Sequence, residues 1–296
     1  MDPAGLRQGY QTCARITRRH GTTYYWGARL LPAPQRRHVY AVYALARLAD
    51  DIVDEPGHRT VEDTEAALTQ FERGFWAALA EGDSRDEVMA AVVTSLRECA
   101  IPPDCFRRFF GAMRQDLTCT SYETWSDLLD YMDGSAAVIG EMMLPVLRPR
   151  SAAALQPARA LGLAFQLTNF LRDVGEDLDR GRVYVPQEDL RRFGADPALR
   201  RVTPEWRALM RQQVERNREL YRQADTGIPL LPGSSARCVA TARVLYSQIL
   251  DRIEARDYDV FTGRARVPTR RKATVAARML VSPRPARLLD RLAPAG

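Results

Sequence analysis

Apolar residues recur along this chain at three- and four-residue intervals. In VEDTEAALTQFERGFWAALAEG, residues 61–82, Leu68, Phe71, Phe75 and Leu79 fall at i, i+3, i+7 and i+11 and mark one face of a helix. Runs of the same kind cover about 34–54, 84–99, 103–118, 123–147, 151–179, 203–224 and 234–256. The stretches IPPD, RPRS, DPALRRVTP and TGIPLLPGSS punctuate them. Alternating apolar and polar runs of strand length are almost absent, so the pattern predicts an all-α protein. No linker is long or polar enough to mark a boundary and no fixed-period repeat exists. Residues 1–296 are therefore expected to form one domain, with a basic C-terminal segment from about 264 to 296.

Two of these helices carry matched carboxylates. In ARLADDIVDEPG, residues 46–57, acidic side chains load the end of an apolar run before Pro56 and Gly57 break it. At about 100° per residue, Tyr43, Arg47, Asp50 and Asp54 fall within about 60° of one another, and Asp51 points about a quarter-turn away. In AFQLTNFLRDVGEDLDRGRVYVP the same arithmetic places Gln166, Asn169, Asp173 and Asp177 within about 80°. A single stripe of this kind is ordinarily a solvated helix face. Here the stripes match, and the two amides lie among Ala164, Phe165, Leu167 and Phe170, which read as core.

Four carboxylates converging in one cavity would repel unless cations sat between them. Oxygen-only ligands suit Mg²⁺ or Mn²⁺, with substrate phosphates completing the coordination. A di-iron bundle also places carboxylates on facing helices, but it needs two Glu-x-x-His motifs. The one candidate, Glu55-Pro-Gly-His58, is broken by its proline and glycine, and the chain has only three histidines.

Composition narrows the partners. The hydrophobic share of 46% and charged share of 27% are those of a soluble globular protein long enough to bury a substantial core. The net charge of +6 is carried by arginine, Lys272 being the only lysine. No basic helix interleaves with aromatics, so nucleic acid is not an expected partner. The five cysteines are odd in number and never form a C-x-x-C pair, which reads as reduced thiols in a cytosolic protein without zinc. The N-terminus lacks an apolar signal core, and no stretch approaches the roughly 18 apolar residues of a membrane span. A cytoplasmic location is expected. The C-terminal ARVPTRRKATVAARMLVSPRPARLLDRL mixes arginine with Leu, Val and Met and could rest peripherally on anionic lipid, or be a solvated terminal helix.

Through HGTTYYWGARLLP, YALARLADDIVDEPG, YMDGSAAVIG, QLTNFLRDVGEDLDRGRVYVP and LYSQILDRIEARDYDVF the sequence resembles the squalene/phytoene synthase family of head-to-head prenyltransferases. Details such as YDVFTGRARVP resemble its bacterial phytoene synthases. The resemblance implies an isoprenoid-synthase fold whose two Asp-rich helices face across a cavity that binds two prenyl diphosphates. It implies condensation of two geranylgeranyl diphosphates through a cyclopropylcarbinyl diphosphate, prephytoene diphosphate, to phytoene in carotenoid biosynthesis. The alternative within the family is presqualene diphosphate or squalene from farnesyl diphosphate, and NADPH is expected only in the squalene case. A catalytically silent helical scaffold is a further alternative, against which both Asp pairs, Arg47 and Asn169 are present.

By the same resemblance, Asp50, Asp54, Asp173 and Asp177, assisted by Asn169, hold Mg²⁺ on the diphosphates. Tyr24, Tyr43, Tyr131 and Tyr246 match the pocket, with Tyr131 in a catalytic role, although tyrosines at such positions also serve as core. Arg47 and Arg172 match substrate-contacting positions, Arg47 being equally able to pair with Asp50 or Asp54. Gln166 joins Asn169 on the substrate side. His20, Thr22, Thr23 and Tyr24 stand where many relatives have a phosphate-binding His-Ser-x-Ser-Phe stretch, with Gly21 in place of one hydroxyl. Asp133 departs from an aromatic position. Gly134, Ser135, Ala136, Ala137 and Gly140 are small enough to admit a polyprenyl tail or to permit close helix packing. RGRVYVP, residues 180–186, is expected to form a basic flap over diphosphate, or simply to end the helix.

Overall fold

The computed structural model describes residues 2–54, 60–282 and 285–286. Glu55, Pro56, Gly57 and His58, and the tail beyond Ala286, lie outside the described residues. The chain opens with α1 (Pro3–His20), α2 (Thr22–Ala28) and α3 (Ala33–Asp54). Next come α4 (Val61–Glu81), α5 (Glu87–Cys99), α6 (Pro103–Gln115), α7 (Trp125–Met132) and α8 (Val138–Leu147). The second half holds α9 (Leu155–Asp179), α10 (Gln187–Phe193), α11 (Pro204–Asp225), α12 (Gly233–Glu254) and α13 (Thr269–Val281). Among the described residues, extended pairing is limited to one parallel bridge between Ser121 and Val183. No described helix is long and apolar enough to cross a membrane.

Local chemistry sets the helix ends. Thr60 and Asp63 form a reciprocal capping box at the start of α4, and Thr124 and Asp127 repeat it at α7. Gly82 closes α4 in the left-handed conformation at φ 79°, which a Cβ would disfavour. The short helices α2 and α10, seven residues each, span too few turns for apolar periodicity to reveal them.

The predicted 123–147 helix is interrupted by a π-helical turn, Asp133–Ala137. Asp133 is drawn between two guanidiniums, accepting from Arg108 of α6 at 3.3 Å and from Arg159 of α9. Gly134 backs onto the carbonyl of Arg108, where a Cβ would come within 2.8 Å of the oxygen. The widened turn is the place where departure from an aromatic residue becomes a buttress of charge. The 103–118 run likewise stops early, at Gln115, and Asp116 caps it.

The longest helix, α9, packs against α11 on one side and α8 on the other, while α3 lies against α1 and α5. Between α4 and α6, Phe75 packs at a tilt against Phe106 and Phe110, all three fully buried. Between α2, α3, α8, α9 and α12 the helices leave a cavity of about 1030 Å³, at the upper end of ordinary ligand pockets. Two glycines set its wall: Gly140 of α8 touches the backbone of Ala158, and Gly162 of α9 touches that of Ala136. The small-residue segment combines close helix packing with cavity lining, and Gly140 does both. Ser135, Ala136 and Gly140 line the cavity, while Gly134 serves close packing.

A side chain at either wall glycine must push the helices apart. Gly162→Leu is expected to destabilise the protein by about 1–3 kcal/mol through overpacking, read as a lowered melting temperature. An unchanged melting temperature would show that α8 and α9 are not held at this separation.

Candidate active site

Every residue singled out from the sequence as a site residue lines the one cavity. Asp50 and Asp54 project from the last two turns of α3, and Asp173 and Asp177 from the last two turns of α9. These are the negative ends of two helix dipoles, and neither helix has a basic residue in its own last turn. The compensating cations come partly from earlier positions on the same helices and partly from elsewhere in the chain.

Arg47 donates to Asp50 at 3.3 Å and pairs with Asp51, one turn on. The expected alternative partner Asp54 is instead held by the segment after α9: Arg182 donates to its Oδ1 at 2.5 Å and Arg180 reaches Oδ2 at 3.5 Å. The reason is direction, since Arg47 lies on the turn before Asp50 and Asp51 whereas Asp54 sits at the open end of α3. Asp173 is held from two sides. Arg172 donates at 2.7 and 2.6 Å, and Arg264, from the segment before α13, at 2.7 and 2.9 Å. Arg172 thus belongs to the site even though it leaves the stripe of Asn169 on an ideal helix. The Asp177 carboxylate makes no ion pair among the described residues.

The charges respond accordingly. Burial, then the neighbouring Asp54, pushes the Asp50 carboxyl up to about 7. Burial, then Asp173 and Asp54, pushes Asp177 up to about 8. Asp173 differs: burial acts to raise it, but the Arg172 and Arg264 guanidiniums prevail and hold it below the usual carboxylate value. The site is short of positive charge around Asp50 and Asp177.

An uncommitted acceptor lines the same cavity. Asn169 donates from Nδ2 to Gln166 Oε1 at 3.4 Å, while its buried Oδ1 has no partner. Carboxylates and an amide oxygen, with no sulfur or imidazole among them, fit a hard divalent cation. Among the described residues, no three Asp, Glu, His or Cys side chains converge closely enough to enclose a metal by themselves. Oxygens from a bound substrate would have to complete any such site.

Opposite the acids, the start of α2 presents Thr22 and buried Thr23 to the cavity beside exposed His20. Lys272 of α13 donates to Thr22 Oγ1 at 2.5 Å. Burial, then Arg172 and Arg266, lowers its ammonium pKa. Gly21 explains the lost hydroxyl, because a Cβ there would lie 2.5 Å from Cζ of Tyr43. Tyr24 forms the adjoining aromatic wall, with ring centroids 5.6 Å from Tyr43, 5.5 Å from Phe165 and 5.0 Å from Tyr246.

Sequence reasoning missed Asp116, Arg264 and Phe165. Asp116 is buried, lines the cavity and accepts from Tyr131 Oη at 2.6 Å. Nothing in RQDL marks it, since a lone acid at the end of an amphipathic helix looks like an ordinary cap. The segment after α9 is pinned by Val183 N donating to the Thr120 carbonyl at 2.8 Å, and Arg182 also donates to the Asp116 carbonyl at 3.2 Å.

The squalene/phytoene synthase profile matches residues 17–271, which include both acidic stripes. The chain belongs to that family. It is 37% identical over 284 residues to a 15-cis-phytoene synthase of Synechococcus elongatus, with 91% of each chain covered. Over 288 residues it is 37% identical to a phytoene synthase of Arthrospira platensis, covering 91% of this chain and 92% of that one. Among solved structures, a dehydrosqualene synthase in complex with ligand superposes with TM-score 0.85 at 28% identity, over 93% of this chain and 96% of that one. The all-α fold of this family is the fold expected from the periodicity.

The raised acids carry a stability consequence. A carboxyl whose pKa rises on folding costs nothing below its unfolded value near 4, and progressively more as pH climbs to the folded value. Asp177→Asn should therefore raise the melting temperature of the ligand-free protein at pH 8 and change it little at pH 4. Equal effects at the two pH values would show that Asp177 is not under this repulsion.

Proposed function

We propose that this protein, acting as a single domain, condenses two geranylgeranyl diphosphates head to head into phytoene by way of prephytoene diphosphate. The observation that carries the reading is the pairing of two acidic helix ends with one cavity of about 1030 Å³ in a member of a prenyl-synthase family. The phytoene synthase names of its relatives select the C20 substrate within it.

Asp50, Asp54, Asn169, Asp173 and Asp177 would hold Mg²⁺, with Mn²⁺ as a substitute. The ion supplies charge neutralisation that turns diphosphate into a leaving group. The remaining roles fall to the chain itself. Arg47, Arg172, His20, Thr22, Thr23 and Gln166 bind and orient the diphosphates, guanidinium geometry suiting phosphate oxygens. Arg180 and Arg182 close the flap over them and exclude water. The ring faces of Tyr24, Tyr43, Phe165 and Tyr246 line the path of the allylic and cyclopropylcarbinyl cations, which water would otherwise capture. Collapse of the final cation by proton loss gives phytoene and needs no reductant.

The likeness to a dehydrosqualene synthase favours a second reading, the same chemistry on farnesyl diphosphate. The two separate in one assay: purified protein with Mg²⁺, offered geranylgeranyl or farnesyl diphosphate separately, with and without NADPH. A C40 triene formed without NADPH and abolished by EDTA is expected. A C30 product, or its cyclopropyl diphosphate, would move the protein to the squalene branch, and no turnover of either would return the silent scaffold. Asp54→Ala and Asp173→Ala should each lower turnover at least about 100-fold while the fold survives. Near-normal activity at saturating Mg²⁺ would refute the metal assignment.

We also propose peripheral contact with anionic lipid through α13, where Leu280 and Val281 are exposed beside Arg278. Truncation before Arg270 should abolish co-sedimentation with anionic vesicles, and unchanged binding would end the idea.

A further inference from the structure

Asp116 is a buried acid that the chemistry above does not use. It follows the last turn of α6, is 8% exposed and lines the cavity together with Tyr131. Tyr131 Oη donates to its Oδ2 at 2.6 Å, and Tyr184 Oη lies 3.5 Å from Oδ1. No cation pairs with the carboxylate among the described residues. Arg182 donates to the backbone carbonyl instead, at 3.2 Å, and reaches Asp54 with its other nitrogen. The groups facing Asp116 are therefore two phenols and, beyond them, Arg182 and Asp54.

The phenols sit in a stack of their own. Tyr131 lies 5.1 Å from Tyr122 and 6.1 Å from Tyr184, and Tyr184 lies 3.9 Å from Phe170 with the rings 8° from parallel. Packing on both faces leaves Tyr131 little freedom except through its hydroxyl, and that hydroxyl's single proton is committed to Asp116. A phenol donating to a carboxylate carries extra electron density on its oxygen, as a charge-assisted donor does. At the wall of a cavity that must hold carbocations, such an oxygen is both an electrostatic partner and a proton acceptor.

Building on the proposed function, we infer that Asp116 is a positioning residue for Tyr131 and, through it, the store for the proton lost when the final cation becomes the triene. The step balances. One C–H bond of the cation breaks, and its electron pair becomes the central C=C bond. The proton passes to Tyr131 Oη as the original hydroxyl proton moves along the 2.6 Å bond to Asp116 Oδ2. A neutral phenol and a carboxylic acid remain, and Asp116 returns its proton to solvent after product leaves. Nothing is oxidised or reduced. Capping by two phenols also keeps a carboxylate oxygen from attacking the cation and forming an ester.

The test feeds purified protein prephytoene diphosphate and measures phytoene, unconverted substrate and water-quenched C40 alcohols. Variants are Asp116→Asn, Asp116→Glu, Tyr131→Phe and the Asp116→Asn/Tyr131→Phe double. Asp116→Asn is expected to lower kcat for phytoene about 100-fold, the scale of acid–base catalysis, with KM within about threefold and alcohols appearing. Tyr131→Phe should behave alike, the double variant should be no worse than either single, and Asp116→Glu should recover about tenfold. A kcat for Asp116→Asn within threefold of the parent, a loss confined to KM, or additive losses in the double variant would overturn the role. If Asp116→Asn fails to fold by circular dichroism, Tyr131→Phe decides, and normal partition to phytoene in that variant refutes the inference. A parent protein that makes no C40 product from geranylgeranyl diphosphate defeats the proposed function itself, and this role with it. A parent that makes phytoene while Asp116→Asn matches it defeats only the role.

Discussion

The interaction on which the rest depends is repulsion among carboxylates at the C-terminal ends of α3 and α9. Each helix dipole already points its negative end at the cavity, and each helix adds two aspartates there without a base in its last turn. Such an arrangement stands only if positive charge arrives from other segments. The structure supplies it twice, with Arg180 and Arg182 on Asp54 and Arg264 on Asp173, where it joins Arg172 of α9 itself. Asp50 and Asp177 are left under-compensated, and burial beside other carboxylates raises both.

The arginines that satisfy the acids also place the covering segments. Arg182 ties the strap after α9 to the end of α3 and, through the Asp116 carbonyl, to the end of α6. Arg264 ties the segment before α13 to α9. Both covering segments are thus held by the acids at the mouth of the cavity, so the charge of those acids and the position of the segments are linked.

Cavity shape follows from a different constraint. The π turn at Asp133–Ala137 and the glycine contacts of Gly140 and Gly162 bring α8 and α9 to backbone contact, and small residues at that seam face the cavity. The charged buttress of Asp133 with Arg108 and Arg159 holds the turn from outside. The wall at this seam is therefore made of small residues, with an ionic buttress behind it.

Periodicity alone was enough for the all-α fold and for most helix bodies, because burying one face of each helix needs only its own repeat. Equal angular arithmetic put Asp50 with Asp54 and Asn169 with Asp173 and Asp177, since a stripe is a property of one helix. What the chain could not disclose was whatever lies between elements. The partner of Asp54 comes from Arg182, 128 positions away, and the acid beneath Tyr131 comes from the end of another helix. The π turn was hidden for the same reason: 123–147 reads as one helix until Arg108 and Arg159 pull Asp133 aside. Local repeat decides which face a residue shares, and only tertiary packing decides which charges that face must meet.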